Sequence, residues 1–299
     1  MNNIRKKFRL DSIYERKILG SNITVAILDS GIFPHKDFSG RITFFKDYIN
    51  HRISPYDDNS HGTHVAGIIG SNGRCSKGLY RGIAPDCNII SIKVLNHAGI
   101  GSPEKILSGI QWIINNYKKY DIRIVNISIG TKTTSCDDEN STLVKAVDEL
   151  WDLGITVIAS AGNDGPEYST ITTPGISRKV ITVGASNTLI SVDTHGRIHK
   201  SYSGKGPTPC DIPKPDLTAP GSKIISCTTH NGYESKSGTS MSTPIVSGAA
   251  ALVYSFNPYI SNNILKENFC LCATDLGLDR FTQGCGELDI HKLLLLCHP

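Results

Sequence analysis

No stretch of the 299 residues approaches the roughly 20 consecutive apolar residues that cross a bilayer, so a membrane partner is not expected. The opening segment MNNIRKKFRLDSIYERK carries basic residues but lacks the apolar run of a secretory leader, and a cytoplasmic protein is expected, with export by a non-classical route as the alternative. Strong charge is missing too. The formal net charge is +4, and the only basic clusters are Arg5, Lys6 and Lys7 and the pair Lys118 and Lys119, which leaves nucleic acid without a footprint. There is no paired CxxC. The nine cysteines are odd in number and scattered, which points to reduced thiols rather than a disulfide scaffold; a metal site from Cys270, Cys272, Cys285 and Cys297 is a weaker option. Internal repeats, low-complexity tracts and long linkers are also absent. With 39% hydrophobic and 19% charged residues, the composition is that of an ordinary globular chain.

What is present is an alternation. Short apolar runs at 23–28, 88–94, 122–127, 155–159, 179–183 and 223–226 read as buried strands. One helix is expected to open at Ser102, Pro103 and Glu104, with Ile106, Leu107, Ile110, Ile113, Ile114 and Tyr117 on one face. A second starts near Ser141, buries Leu143, Val144, Val147, Leu150 and Trp151, and stops at Gly154. A third runs from Ile245 to Phe256. Strands alternating with helices imply a mainly parallel sheet with helices on both faces, a three-layer αβα fold whose chemistry sits beyond the carboxyl ends of the strands. The stretch 186–220, with Gly204, Gly206, Pro207, Pro209, Pro213 and Pro215, reads as surface loops rather than a hinge. The expected organisation is an N-terminal extension over 1–19 and a single domain over 20–299.

Four segments carry residue types suited to nucleophilic catalysis. Asp29 follows the apolar run Val25 to Leu28 and precedes Ser30 and Gly31, so it emerges where a buried strand meets the ligand edge; an acid there can orient a histidine, or it can simply form a turn. His61 stands in Asp58 to Gly67, where polar residues give way to small and apolar ones as at a helix start. A metal pair with His64 is disfavoured because the spacing is three and no glutamate intervenes; His64 is expected to be a structural histidine held by a local hydrogen bond. Ser240 lies between Gly238 and Pro244, which places its hydroxyl at a helix amino terminus where free amides favour negative charge; a capping serine is the plainer alternative. Asn163, in Ser160-Ala161-Gly162-Asn163, follows a strand ending on the same edge and can donate to an oxyanion or occupy a left-handed turn.

Taken in order, Val25 to Gly31, His61 to Gly67, Ser160 to Asn163 and Ser237 to Pro244 closely resemble the signature segments of the subtilisin family of serine peptidases, over nearly the whole chain. The order Asp, His, Ser separates this arrangement from the chymotrypsin-like and α/β-hydrolase ones. Lys214 to Gly221 is a further family-like segment. The resemblance, nearest to intracellular bacterial members, implies a serine endopeptidase. Ser240 would be its nucleophile, His61 its base, Asp29 the orienting acid and Asn163 the oxyanion donor. It implies protein or peptide substrates bound as an extended strand along Gly99, Ile100 and Gly101 on one side and Ser128, Ile129 and Gly130 on the other. No cofactor is implied for the chemistry. A structural calcium at Asp37 is implied by the position, although the loop from Gly70 to Gly82 is long and carries Arg74, Lys77 and Arg81. Residues 1–16 are expected to form a short inhibitory segment in the cleft. A catalytically silent peptide-binding module and a processing protease dedicated to one partner are the competing functions.

Overall fold

The computed structural model describes residues 1–188, 191–192, 198–199 and 201–298. Part of the 186–220 stretch (189–190, 193–197 and 200) and Pro299 lie outside the described residues. Seven strands form one parallel sheet: β1 (Thr24–Asp29), β2 (Ile42–Asp47), β3 (Asn88–Lys93), β4 (Ile122–Ile127), β5 (Thr156–Ser160), β6 (Ile181–Ala185) and, beyond the short pair β7 (Ser191–Val192) and β8 (Ile198–His199), β9 (Leu217–Ala219). Their order across the sheet is β2-β3-β1-β4-β5-β6-β9. The chain passes from β1 to the edge strand β2, returns to β3 beside β1, then crosses to β4 on the other side of β1 and winds outward through β5, β6 and β9. β1 is therefore the strand at which the order reverses, and a crevice opens at its carboxyl end.

Burial on both faces explains the composition of these strands. Every residue of β1, β5 and β6 is buried, so β-branched and small apolar side chains replace the alternation of a half-exposed strand. Helices α3 (His61–Gly70) and α6 (Thr239–Phe256) pack together, as do α4 (Pro103–Asn116) and α5 (Thr142–Asp152), and the two pairs cover the two faces. Ser102 caps α4 with Pro103 in its first turn, and the Ser141 hydroxyl accepts the Val144 amide at the start of α5, as the sequence signals predict.

β9, a buried strand of the sheet, lies within the 186–220 stretch expected to be surface loops, and β2 lies outside the apolar runs expected to be strands, because its faces are only partly buried. Three further elements differ from expectation. The 223–226 run does not join the sheet: β10 (Ile224–Cys227) pairs antiparallel with β11 (Tyr233–Lys236) in a hairpin of its own. Helix α6 starts at Thr239 rather than Ile245, so Pro244 lies inside it, and its missing N–H leaves the Ser240 carbonyl without the usual partner four residues on. Residues 1–16 do not lie in the cleft. They form α1 (Asn2–Lys7) and α2 (Leu10–Glu15), and Met1, Ile4, Phe8, Leu10 and Ile13 are buried in the same core as the sheet. Tyr14 anchors them by donating to the Gly82 carbonyl at 2.5 Å. The remaining helices α7 (Asn262–Cys272), α8 (Arg280–Gln283) and α9 (Ile290–Leu296) close the carboxyl half.

The cysteines are not all reduced. Cys136 is bonded to Cys210 and Cys270 to Cys285, with Cα atoms 5.1 Å apart in each pair. Partners 74 residues apart give no sequence spacing to read, and the second bridge removes two of the four thiols considered for a metal; Cys272 and Cys297 are buried and free. Among the described residues no helix is long and apolar enough to cross a membrane.

Candidate active site

Asp29 ends β1 at the point of reversal and is 1% exposed. Its Oδ1 accepts the Ser30 amide at 2.7 Å, which fixes the carboxylate plane. His61, the first residue of α3, meets that plane: Nδ1 lies 2.7 Å from Oδ1 and 2.9 Å from Oδ2 of Asp29. The approach depends on Gly62, because a Cβ there would sit 2.2 Å from the Gly31 carbonyl oxygen and 3.1 Å from the Asp29 Cβ. Only a residue without a side chain lets α3 begin this close to the end of β1.

The start of α3 is held by an acid that the sequence signals did not single out. Asp57 Oδ1 accepts the amides of Asn59 and Ser60 and the hydroxyl of Ser30, and its Oδ2 accepts the amide and hydroxyl of Thr63. A carboxylate at a helix amino terminus satisfies orphan donors and favours the dipole. The available signal was an Asp four residues before the helix. Lys93, 0% exposed at the end of β3, was also missed; its ammonium donates to the Ser30 and Leu95 carbonyls at 2.6 and 2.8 Å and to Asp58 at 2.6 Å. Burial opposes the positive form of His61, but the Asp29 charge and hydrogen bond outweigh it and raise the histidine above its ordinary value.

His64, one turn on, has a different environment. Its Nε2 faces the carbonyls of Ile224 and Glu234 at 3.0 and 3.1 Å, so its partners are distant in sequence rather than local. Burial, followed by the charge of Lys236, pushes it down to about 3, and the ring is neutral.

Ser240 occupies the first turn of α6. Gly238, at φ 152°, makes the turn before it, and a Cβ there would sit 3.4 Å from Asn163 Nδ2. Asn163 is oriented by this same turn: its Oδ1 accepts the Thr239 amide at 2.9 Å and the Thr239 hydroxyl at 3.1 Å. With the oxygen committed to two donors, the amide group of Asn163 is left to donate elsewhere. The Ser240 hydroxyl donates to the Ser128 carbonyl at 2.8 Å.

His61, Ser240 and Asn163 line one cavity of about 590 Å³, with Asp29 buried behind His61. All of Gly99, Ile100, Gly101, Ser128, Ile129 and Gly130 line it as well. Thr172, Ser160 and Gly162 complete the wall beside Gly130. The Thr172 side chain packs where Cβ atoms on Gly130 and Gly162 would be, and its buried hydroxyl has no hydrogen-bond partner among the described residues.

Asp37 lies elsewhere, and its surroundings do not suit calcium. Its Oδ2 accepts from Tyr233 at 2.7 Å and Ser71 at 2.8 Å, and its Oδ1 accepts the Cys75 amide at 2.8 Å. Burial opposes its charge, but these hydrogen bonds together with nearby His35 hold the carboxyl below its usual range. Its potential metal-ligating neighbours are a thiol and an imidazole rather than further carboxylates, whereas calcium takes six to eight oxygens. The calcium expectation at Asp37 is therefore corrected by the chemistry of the donors around it.

The chain is similar to known proteins over most of its length. Residues 20–287 match the model of the subtilase family. The chain is 43% identical over 268 residues to serine protease AprX of Bacillus subtilis, covering 84% of this chain and 61% of that protein. It is 37% identical to a thermostable alkaline protease of Halalkalibacterium halodurans, covering 88% of this chain and 65% of that one. It is 33% identical to subtilisin DY of Bacillus licheniformis over 94% of both. The chain thus spans just under two thirds of the first two relatives and nearly all of the third.

Proposed function

Because the chain belongs to the subtilase family, we propose that it is a serine endopeptidase whose nucleophile is Ser240, with His61 as base, Asp29 as the acid orienting it and Asn163 as oxyanion donor. The observation that carries this reading is the His61 ring, held by a buried carboxylate at 2.7 Å, on the wall of the cavity that Ser240 and Asn163 also line. Rotation of the Ser240 side chain away from the Ser128 carbonyl turns its hydroxyl toward the ring. The proton then passes from Oγ to Nε2 as Oγ bonds to the scissile carbonyl carbon. The carbonyl electron pair moves onto oxygen. Asn163 Nδ2 and the Ser240 amide, whose place in the first turn of α6 leaves it without an intrahelical acceptor, receive that charge. Collapse of the tetrahedral species expels the amine, which takes the proton from Nε2, and water repeats the sequence to release the acyl group.

The Asp29 carboxylate acts through the imidazole. It fixes the tautomer with Nδ1–H toward itself, leaves Nε2 free to accept, and stabilises the cation that forms. The substrate is a protein or peptide segment lying extended between the 99–101 and 128–130 edges, with one side chain entering the space walled by Gly130, Ser160, Gly162 and Thr172. No cofactor takes part in these steps. Treatment with a fluorophosphonate, followed by mapping of the adduct, tests the assignment: label at Ser240 that vanishes in Ser240→Ala and His61→Ala is expected. Label at another serine, or full labelling of the His61→Ala protein, refutes it.

A further inference from the structure

Behind the catalytic wall, three side chains able to ligate a soft divalent cation meet in the interior. His35 is 1% exposed, and Asp37 and Cys227 are 0% exposed. Their ligand atoms lie within 4.8 Å of one another, with Asp37 Oδ2 3.9 Å from His35 Nδ1 and 3.7 Å from Cys227 Sγ. Zinc bonded to sulfur at ~2.3 Å and to nitrogen and oxygen at ~2.0 Å requires ligand separations of roughly 3.3–3.6 Å in a tetrahedral shell. The 3.7 Å pair needs a shift of a few tenths of an ångström to reach that shell and the 3.9 Å pair about half an ångström, and the third separation is at most 4.8 Å.

The surrounding contacts are those of an outer shell that orients ligands. His35 Nε2 faces the Gly232 carbonyl at 3.2 Å, which takes the ring N–H and leaves Nδ1 as the lone-pair nitrogen toward Asp37. The Asp37 amide, 3.1 Å from Nδ1, is the donor a cation would replace. Tyr233 and Ser71 donate to the same Asp37 oxygen, Oδ2, and so orient the carboxylate. Arg41 donates to the Asp37 backbone carbonyl and contributes positive charge nearby. A divalent ion with one carboxylate and one thiolate is neutral, so binding removes the uncompensated charge that the ionised Asp37 leaves in the interior. Cys75, in the turn Arg74–Ser76, presents an exposed thiol at the rim, with its amide already bonded to Asp37.

We propose that His35, Asp37 and Cys227 form a binding site for a zinc-class divalent cation, with the fourth position facing Cys75. On binding, the Cys227 S–H bond breaks, its electron pair forms the sulfur–metal bond and the proton leaves to solvent; Cys75 does the same when it occupies the fourth position. The ion would tie the 35–37 turn and the 70–82 loop to the β10–β11 hairpin. That hairpin carries Glu234, which accepts the Ser60 hydroxyl at 2.6 Å immediately before His61. The site thus braces the mount of the histidine without touching substrate.

Cobalt titration of the full chain carrying Ser240→Ala, which removes self-digestion, tests this without reading proteolysis. One equivalent should bind, with a thiolate-to-cobalt charge-transfer band and the intense visible bands of a four-coordinate ion. Cys227→Ser should abolish the charge-transfer band or leave only a weaker one from Cys75, and Cys75→Ser added to it should remove it entirely. Tyr233→Phe, which keeps all three ligands, should weaken binding about 10- to 100-fold with the band intact. Cys272→Ser should change nothing. Absence of stoichiometric binding to the Ser240→Ala chain overturns the proposal whatever the variants do. So does an undiminished band in a Cys227→Ser protein whose circular dichroism shows it folded, or a band that disappears with Cys272→Ser. Because these readouts are spectroscopic, their failure leaves the assignment of Ser240 as nucleophile unaffected.

Discussion

Replacing Asp29 by asparagine should reduce kcat about 10⁴-fold while the protein stays folded. The Ser30 amide decides which way the new side chain points. It donates to Oδ1 at 2.7 Å, so the asparagine oxygen takes that position and the NH2 group takes the place of Oδ2, 2.9 Å from His61 Nδ1. The uncharged oxygen, shared with the Ser30 amide, still lies 2.7 Å from Nδ1, but a donor now competes at 2.9 Å for the same ring nitrogen, so the tautomer that accepts at Nδ1 and holds its proton on Nε2 gains population. That tautomer cannot receive a proton from Ser240. The negative charge that stabilises the imidazolium disappears in the same change. Four decades correspond to about 5.4 kcal/mol of transition-state stabilisation, and losses of this size are known for the same replacement in a chymotrypsin-type protease. The assay is kcat and KM on a chromogenic peptide across pH, with melting curves of the Ser240→Ala and Asp29→Asn/Ser240→Ala proteins to separate folding from chemistry. The acidic limb should also move to lower pH, because the feature that raises His61 above its ordinary value is gone. A loss under tenfold with an unmoved acidic limb would refute the role given to Asp29.

Other outcomes follow from the same geometry. In the parent protein the base works only when neutral, so kcat/KM should rise with pH through a midpoint above the ordinary histidine value; conversely, the stability contributed by the charged pair is complete below the unfolded-state value and fades as pH rises through the folded one. Asn163→Leu should lower kcat about 10²- to 10³-fold with KM little changed, the range measured for an oxyanion donor in a subtilisin, and an unchanged kcat would remove Asn163 from the mechanism. Lys93→Met leaves the Ser30 and Leu95 carbonyls unpaired and should destabilise the chain by about 2–4 kcal/mol in urea melts, a figure moderated by the partial exposure of Asp58. Denatured without reductant, the protein should show five reactive thiols, and with reductant all nine; nine in both cases would exclude the two bridges. A variant lacking residues 1–16 should be less stable by several kcal/mol and no more active, because it loses core contacts and uncovers no cleft.

Much of this site was legible as sequence because the chemistry is written locally. Asp29 after an apolar run, His61 among small residues and Ser240 between glycine and proline each announce an element boundary, and element boundaries at the carboxyl edge of a parallel sheet share one rim. The 99–101 and 128–130 segments came instead from the family resemblance, and they line the same cavity. What escaped was set by tertiary contact. The 223–226 run has a strand's composition, but whether it joins the sheet depends on partners distant in sequence, and it pairs with 233–236 instead. The N-terminal segment reads as basic and irregular because its apolar residues are few. Each of Met1, Ile4, Phe8, Leu10 and Ile13 is nonetheless buried, which only the shape of the receiving surface could reveal. Asp57 holds the start of α3 from outside every segment singled out, and Thr239, although inside the 237–244 segment, orients Asn163 through a contact between distant parts of the chain.

The reversal of strand order at β1 has a temporal meaning. Residues 29, 61 and 240 share a rim once β4 has paired with β1, β5 and β6 have extended the sheet beyond it, and α6 has docked against that sheet. Contacts between such distant parts of a chain form late, since each must overcome the entropy of closing a long loop. On the proposed assignment, a half-made molecule holds its nucleophile and base in separate pieces, and hydrolysis in a refolding experiment should appear with the last long-range docking event rather than the first.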